Sequence, residues 1–267
     1  MKQLYVITIV FFISSCSSLY AQKWEVGITG GAMSYTGDLN QNEFYDFNHL
    51  AAGGLLKVNL NSYWAVKFGL LAGKVSAADA DSRYEEQQNR NLSFFSPLTE
   101  GSLQVELNFF DYGINFGQKR FTPFVFTGIS VFSFNPKTEL DGDTYQLKYF
   151  ATEQDVSDGS EAYSTIALAV PLGLGVKYRL SENLNLIGEF GFRTTQTDYL
   201  DDVSQRYPNI SGMSDDDLIR QQLSDPSLTS PKIGQPGVQR GDFRKKDTYL
   251  FAGITLSYTF VRQICPF

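Results

Sequence analysis

The sequence predicts an all-β protein, namely an eight-stranded antiparallel transmembrane up-and-down β-barrel with long external loops. Residues 248–260 alternate apolar side chains with small or hydroxyl side chains, and this period of two is typical of a strand with lipid on one side and a polar lumen on the other. The N-terminus has the pattern of a secretory leader, and the connections between predicted strands alternate between short and long.

The N-terminal pattern indicates export from the cytoplasm. A positively charged start is followed by an apolar run over residues 4–13, which is shorter than the roughly 20 residues of a membrane helix. We therefore predict a signal peptide over residues 1–21, with cleavage after Ala21, and a barrel over residues 22–267. The sequence around Cys16 also fits a lipoprotein cleavage site, so acylation of this cysteine is an open alternative.

Composition narrows the class of protein. The formal net charge is -7, which argues against nucleic-acid binding, since that function needs basic patches. The 22 Phe, 15 Tyr and 23 Gly suit strands and interfacial aromatic girdles. Beyond the leader no apolar run is long enough for a membrane helix, so a barrel is the remaining way to span a bilayer. With Cys16 removed, Cys265 is a lone thiol and no disulfide is available.

Each of the eight predicted strands carries an apolar face, and the fifth is apolar on both faces. The strands are predicted over residues 24–35, 50–61, 63–75, 98–110, 121–135, 166–180, 184–195 and 248–260. Short connections fall at residues 61–62, 113–119 and 181–183, and long ones at residues 36–49, 76–96, 136–164 and 198–246. This alternation predicts short periplasmic turns and long external loops. Ten strands are the alternative, because residues 144–150 could form an extra hairpin arm.

Charged residues occupy inward positions of the predicted strands. An eight-stranded barrel has an interior just filled by side chains, so we interpret these charges as a paired plug rather than as a conduction path or a catalytic cluster. The predicted lumen charge network comprises Glu25, Lys57, Lys67, Glu106, Lys177, Arg179, Glu189 and Arg193.

Catalytic and metal-binding patterns are weak. His49 is the sole histidine, and no serine spacing identifies a partner for it, so we expect no enzymatic activity. Asp215, Asp216 and Asp217 follow Ser214, a pattern that predicts the N-cap and first turn of a helix in preference to a calcium site. We therefore expect no catalytic residue, no cofactor, no metal and no small-molecule substrate.

Ten short segments carry a resemblance to a known family, and the similarity extends over nearly the whole mature chain. The segments are 35–39, 90–94, 100–112, 122–129, 134–136, 170–178, 189–193, 197–204, and 240–241 with 246–249. The most specific is Thr197-Asp198-Tyr199-Leu200-Asp201-Asp202-Val203-Ser204. With these segments the chain resembles the PorG-type outer-membrane barrels of the Bacteroidota, which are associated with the type IX secretion system. The third long loop departs from the family pattern and keeps only Thr152-Glu153-Gln154.

The resemblance implies a non-enzymatic protein of the bacterial outer membrane that associates with the periplasmic ring built from PorK and PorN. Contacts to the ring are expected on residues 111–119, on residues 181–183 and on the tail, residues 262–267. For the family segment we hypothesise that Asp201 and Asp202 lock the external loops through basic partners such as Arg240 and Lys246. The alternative function is a stand-alone structural or ligand-binding barrel that acts through its external loops.

Overall fold

The chain forms a closed barrel of eight antiparallel strands. The computed structural model describes residues 23–41, 45–113, 118–153, 163–242 and 246–260. The barrel strands are β1 (Lys23–Thr36), β2 (His49–Asn59), β3 (Trp64–Ala78), β4 (Ser93–Asn108), β5 (Phe121–Phe134), β8 (Ile166–Arg179), β9 (Leu184–Thr195) and β10 (Thr248–Thr259). Neighbouring barrel strands pair throughout, and the β1–β10 pairing closes the circle. The predicted eight-stranded fold is therefore confirmed.

A small hairpin lies where residues 144–150 were the candidate for an extra hairpin arm. It consists of β6 (Lys137–Leu140) and β7 (Asp143–Gln146), which pair with each other. The hairpin meets the barrel where Lys137 pairs with Phe95 of β4. Because it extends one long connection instead of entering the closed circle, the barrel has eight strands and not ten.

Side-chain alternation explains why these segments form a membrane-type barrel. Apolar residues such as Ile28, Leu172 and Ile254 point outward, with 72%, 61% and 61% of their surface exposed. Their neighbours on the same strands point inward and include Thr255 and Lys177, both buried. An apolar outer band around a polar interior is the arrangement that lipid requires of a spanning barrel.

The fourth strand begins earlier than its alternation predicts. We expected it from residue 98, whereas β4 starts at Ser93 because residues 93–97 pair with residues 74–78 of β3. The second long connection is consequently shorter than predicted and spans residues 79–92. It contains a 3₁₀ turn (Asp79–Asp81) and the short helix α1 (Glu85–Arg90).

Local hydrogen bonds explain the tight turns and the one longer helix. The side-chain oxygen of Asn61 accepts the backbone N–H groups of Tyr63 and Trp64, each at 2.8 Å, and so fixes the β2–β3 turn. In the last long connection, helix α2 (Asp215–Ser224) begins with Ser214 and Asp217 in a capping box. The predicted helix start is therefore confirmed. Within the described residues, no helix has both the length and the apolar character needed to cross a membrane.

Close backbone contact between β1 and β10 requires glycine. A Cβ atom on Gly31 would lie 2.3 Å from the carbonyl oxygen of Ala252 and 2.6 Å from the Cα of Gly253, both far inside van der Waals contact. At the preceding residue, Gly30, an added Cβ would meet no atom within 4 Å. The predicted signal peptide, Cys16, Cys265 and the tail lie outside the described residues.

Candidate functional site

A buried cluster of charges fills the middle of the barrel. Glu106 on β4 is its centre, with the Nζ atoms of Lys177, Lys67 and Lys57 at 2.6, 3.4 and 3.8 Å from its carboxylate oxygens. Only 1% of Glu106 is exposed. Inward-facing positions on four strands, β2, β3, β4 and β8, supply this arrangement, which binds them together across the lumen.

The ion pairs continue outward from this centre. Lys57 lies 2.9 Å from Glu25, and Lys67 lies 2.7 Å from Glu189. Toward the long loops, the Nε atom of Arg193 lies 3.3 Å from Glu100. We use the name lumen network for the four basic and four acidic residues joined in this way. They are Glu25, Lys57, Lys67, Glu100, Glu106, Lys177, Glu189 and Arg193.

The sequence-based list differs from the lumen network at two residues. The prediction omits Glu100, although Glu100 and Glu106 have the same inward parity on β4, so the alternation alone is enough to find Glu100. Arg179 was included, but it lies at the last residue of β8, and no ion pair in the described part of the chain involves it.

Aromatic rings fill much of the remaining lumen and leave a small void. The ammonium groups of Lys177 and Lys67 lie 4.5 and 5.0 Å above the rings of Phe124 and Phe126. A void beside Lys67 and Gln104 has a volume of about 30 Å³, enough for one or two waters. Side chains thus occupy the cross-section through which a solute would have to pass.

The long connections fold over one mouth of the barrel. We call their described residues the external cap, which comprises residues 37–48, 79–92, 135–165 and 196–247 wherever the structure describes them. Arg90 joins the second of these connections to two others. Its guanidinium contacts both carboxylate oxygens of Asp79, at 2.7 and 2.8 Å, and donates to the carbonyl oxygens of Arg240 and Asp38.

A second arginine, which is buried, joins the third and fourth long connections. Arg240 donates to the carbonyl oxygens of Asp202, at 2.7 Å, and Ser224, at 3.2 Å, and its Nη1 atom lies 3.2 Å from Glu153. Glu153 also accepts the backbone N–H group of Ser204 at 2.9 Å. Thus Glu153, one of the three residues that the third loop retains from the family pattern, is a central contact of the external cap.

The family segment lies inside the external cap. Leu200, Asp201 and Asp202 are almost completely buried. Asp202, whose φ of 67° is left-handed, accepts hydrogen bonds from the hydroxyl groups of Thr152 and, at 2.5 Å, of Tyr163. Burial raises the pKa of Asp202 to about 6. The segment is therefore hydrogen-bonded to the third long connection inside the external cap.

The hypothesis that the carboxylates of Asp201 and Asp202 pair with basic residues such as Arg240 and Lys246 is wrong, because the structure shows other partners. Arg240 binds the backbone carbonyl of Asp202, while its carboxylate partner is Glu153. Asp201 accepts a hydrogen bond from the hydroxyl of Tyr35, and Lys246 is exposed. Both carboxylates are buried in the cap, and hydroxyl groups donate to them in place of basic groups. Tyr35 of β1 donates to Asp201, and Thr152 and Tyr163 of the third long connection donate to Asp202.

Asp38, Asp198 and Asp247 form an acidic cluster, in which one oxygen atom from each carboxylate lies within 4.8 Å of the others. Asp201 lies next to this cluster, since Tyr35 donates to both Asp201 and Asp247. Burial raises the pKa of Asp38 to about 9 and that of Asp198 to about 6. Burial, with neighbouring carboxylates, also raises the pKa values of Asp201 and Asp247 well above the ordinary range.

His49 has a partner that sequence spacing did not reveal. Its Nε2 atom lies 2.7 Å from the hydroxyl oxygen of Ser76, because β2 and β3 bring the two residues to adjacent positions near the cap. They line a cleft of about 410 Å³ together with Tyr45 and Tyr84. In the described part of the chain no carboxylate accepts a hydrogen bond from the imidazole.

A sequence comparison assigns the chain to a family. The family described as "Domain of unknown function (DUF6089)" matches residues 2–217, so the chain belongs to the DUF6089 family. No curated protein is significantly similar to it in sequence.

Solved structures with a similar fold are outer-membrane and surface barrels. The N-terminal β-barrel domain of OprF from Pseudomonas aeruginosa is 11% identical with a TM-score of 0.39, and the match covers 88% of this chain and 97% of that domain. A major outer membrane protein from Thermus thermophilus is 15% identical with a TM-score of 0.39, over 90% and 100% of the two chains. Neisserial surface protein A is 9% identical with a TM-score of 0.37, over 89% and 97%.

Proposed function

We propose that this DUF6089 protein is a non-enzymatic outer-membrane barrel that serves as a scaffold in the type IX secretion machinery. In this proposal, the long loops face the exterior, the short turns face the periplasm, and the turns contact a ring of PorK-like and PorN-like proteins. The lipid-facing band supports the membrane location, and the resemblance of the ten segments to PorG-type barrels supports the secretion role.

The filled lumen is the observation that carries the scaffold function. Lys177, Lys67 and Lys57 converge on Glu106 across the whole width of the barrel, and aromatic rings pack against two of these lysines. A barrel that is closed by buried ion pairs offers no aqueous path for a solute. This filling supports a function that depends on surfaces outside the lumen.

The distribution of exposed residues favours the short-turn end as the partner surface. Residues 200–204 of the family segment are buried in the external cap, so these side chains are not available to a partner. At the opposite end, Asp111, Lys119 and Glu182 are exposed, and 57% of Phe109 is exposed. This combination of a charged surface and a large apolar side chain suits a protein interface.

Charge reversal at the two ends of the barrel tests the proposal. We would crosslink cells that express the tagged protein, purify it from gently solubilised outer membranes and identify the captured proteins by mass spectrometry. The double variant Asp111→Lys/Glu182→Lys should lose most of the captured ring proteins, because like-charge contacts weaken an interface. The matched variant Glu139→Lys/Asp143→Lys makes the same charge change on exposed residues of the external hairpin and should capture as much as the wild type.

The opposite pattern would replace the proposal with the alternative function. If the hairpin variant lost captured proteins and the turn variant did not, the barrel would act through its external loops. The cleft between the first two long connections favours such a surface, since Tyr45 and Tyr84 line it and 57% of each is exposed. Recovery of the barrel alone from cells with abundant ring proteins would also contradict the scaffold role.

A further inference from the structure

The acidic cluster of the external cap brings together three distant parts of the chain. Asp38 follows β1, Asp198 follows β9 and Asp247 precedes β10. The positions of Asp38 and Asp247 are fixed by backbone donors, since one oxygen of Asp38 accepts the N–H group of Asp242 at 2.6 Å and one oxygen of Asp247 accepts that of Leu200 at 2.9 Å. The cluster is therefore held in place by the fold of the cap.

Two buried oxygen atoms in the cluster accept no hydrogen bond. They are Oδ2 of Asp38 and Oδ1 of Asp198. Asp38 is only 2% exposed, so solvent does not satisfy its free oxygen, while Asp198 is half-buried and connects the cluster to the surface. A buried carboxylate oxygen without a donor is costly, and such an atom commonly marks the place of an ion or a water.

The charge of the cluster is also unbalanced. The two arginines that join the loops of the external cap are already matched, Arg90 by Asp79 and Arg240 by Glu153. Within the described residues, no lysine or arginine forms an ion pair with Asp38, Asp198 or Asp247. Several ionised carboxylates this close together would repel each other strongly in a buried environment.

We propose that Asp38, Asp198 and Asp247 bind a calcium ion that fastens the external cap to the barrel. Ligand atoms that share a calcium ion at 2.3–2.6 Å lie at most about 5 Å apart, which agrees with the 4.8 Å span of the cluster. All three ligands are hard oxygen donors, which excludes a soft-metal site. Calcium fits better than magnesium, because magnesium keeps most of its waters and seldom uses a site built of several protein carboxylates.

Calcium titration of the purified full-length mature protein tests this inference. The folded barrel in detergent is freed of metal with a chelator, and calcium chloride is titrated by calorimetry. We expect one saturable site in the wild type, and binding at least about tenfold weaker in Asp38→Asn/Asp198→Asn, since ligand charge sets calcium affinity. The matched variant Asp215→Asn/Asp216→Asn removes two exposed charges from α2 and should bind like the wild type.

Thermal unfolding supplies a second readout, in which loss of the ligands should not lower stability when calcium is absent. Calcium should raise the midpoint of the wild type, because it binds the folded state. In chelator, the Asp38→Asn/Asp198→Asn variant should be at least as stable as the wild type, since it removes carboxyl groups whose ionisation the buried cluster disfavours, and it should gain nothing from calcium. If this variant does not fold, Asp198→Asn alone, at the half-buried position, replaces it.

Two results would overturn the inference. The first is the absence of saturable calcium binding by the folded wild type. The second is calcium binding of wild-type affinity in the folded asparagine variants, which would place the ion elsewhere. Both outcomes are independent of any role in secretion.

Discussion

Replacing the central carboxylate of the lumen network tests how the barrel interior is stabilised. The change Glu106→Gln keeps the size of the side chain but removes its charge. Lys177 would keep Asn108 as a hydrogen-bond acceptor, at 2.8 Å, and the ring of Phe124 beside it, but it would lose its buried carboxylate partner. The contacts of Lys57 and Lys67 with Glu106 would be lost at the same time.

The size of the effect follows from burial. Both Glu106 and Lys177 are 1% exposed, so solvent screens neither charge. Removal of one partner from a buried ion pair typically costs 3–5 kcal/mol, and we expect about 4 kcal/mol for Glu106→Gln. In the double variant Glu106→Gln/Lys177→Met much of this loss should be recovered, because the uncompensated ammonium group is then absent.

Urea unfolding of the folded barrel in lipid vesicles measures the difference in free energy. Trp24 and Trp64 lie on the outward face and report the loss of the lipid environment by their fluorescence. The exposed variant Glu182→Gln serves as the control and should lie within about 0.5 kcal/mol of the wild type. If Glu106→Gln were equally close to the wild type, the network would not stabilise the barrel in the way argued above.

Three further substitutions test other parts of the account. Gly31→Ala should lower the free energy of unfolding by about 1–3 kcal/mol, because its Cβ would overlap the β10 backbone. Gly30→Ala should be nearly neutral in the same urea assay. Equal effects would contradict the close β1–β10 contact. Ile129 lies in the middle of the outward face of β5, and Ile129→Lys should lower the free energy of unfolding in lipid by about 2–4 kcal/mol. Phe109→Lys, near the barrel end, should lower it by about 0–1 kcal/mol. The reverse order would refute the placement of the lipid band. Arg240→Ala should leave the barrel folded but make the external cap sensitive to added protease, because the contacts of Arg240 with Asp202 and Glu153 are lost. Limited proteolysis followed by mass spectrometry measures this sensitivity. Unchanged resistance would show that other contacts hold the cap.

The barrel could be predicted from the sequence because its signals are local. Each strand shows the period-two alternation, and the short turns have recognisable residues such as Asn61. The start of β4 was missed because Ser93 and its neighbours are strand residues only through their pairing with the end of β3. That pairing depends on where the chain returns after α1, and no local pattern specifies it.

The network was partly predictable, and the external cap was not. Inward parity identifies Glu106 and Lys177 as lumen-facing residues, and the same rule extends to Glu100. The contacts of Asp202 with Tyr163 and of Asp201 with Tyr35 join residues 39 and 166 positions apart. Such contacts arise from the folding of irregular loops, whose geometry has no sequence period.

Solute flux through the reconstituted barrel tests the central claim, that the protein acts through its surfaces and not through its lumen. Purified protein would be folded into liposomes, its folded fraction verified by heat-dependent gel migration, and the entry of small sugars and ions measured. The lumen network predicts flux indistinguishable from protein-free liposomes, and the same result for Glu182→Gln. Flux that rises in proportion to the amount of folded barrel would contradict the account, because it would require an open path past Glu106.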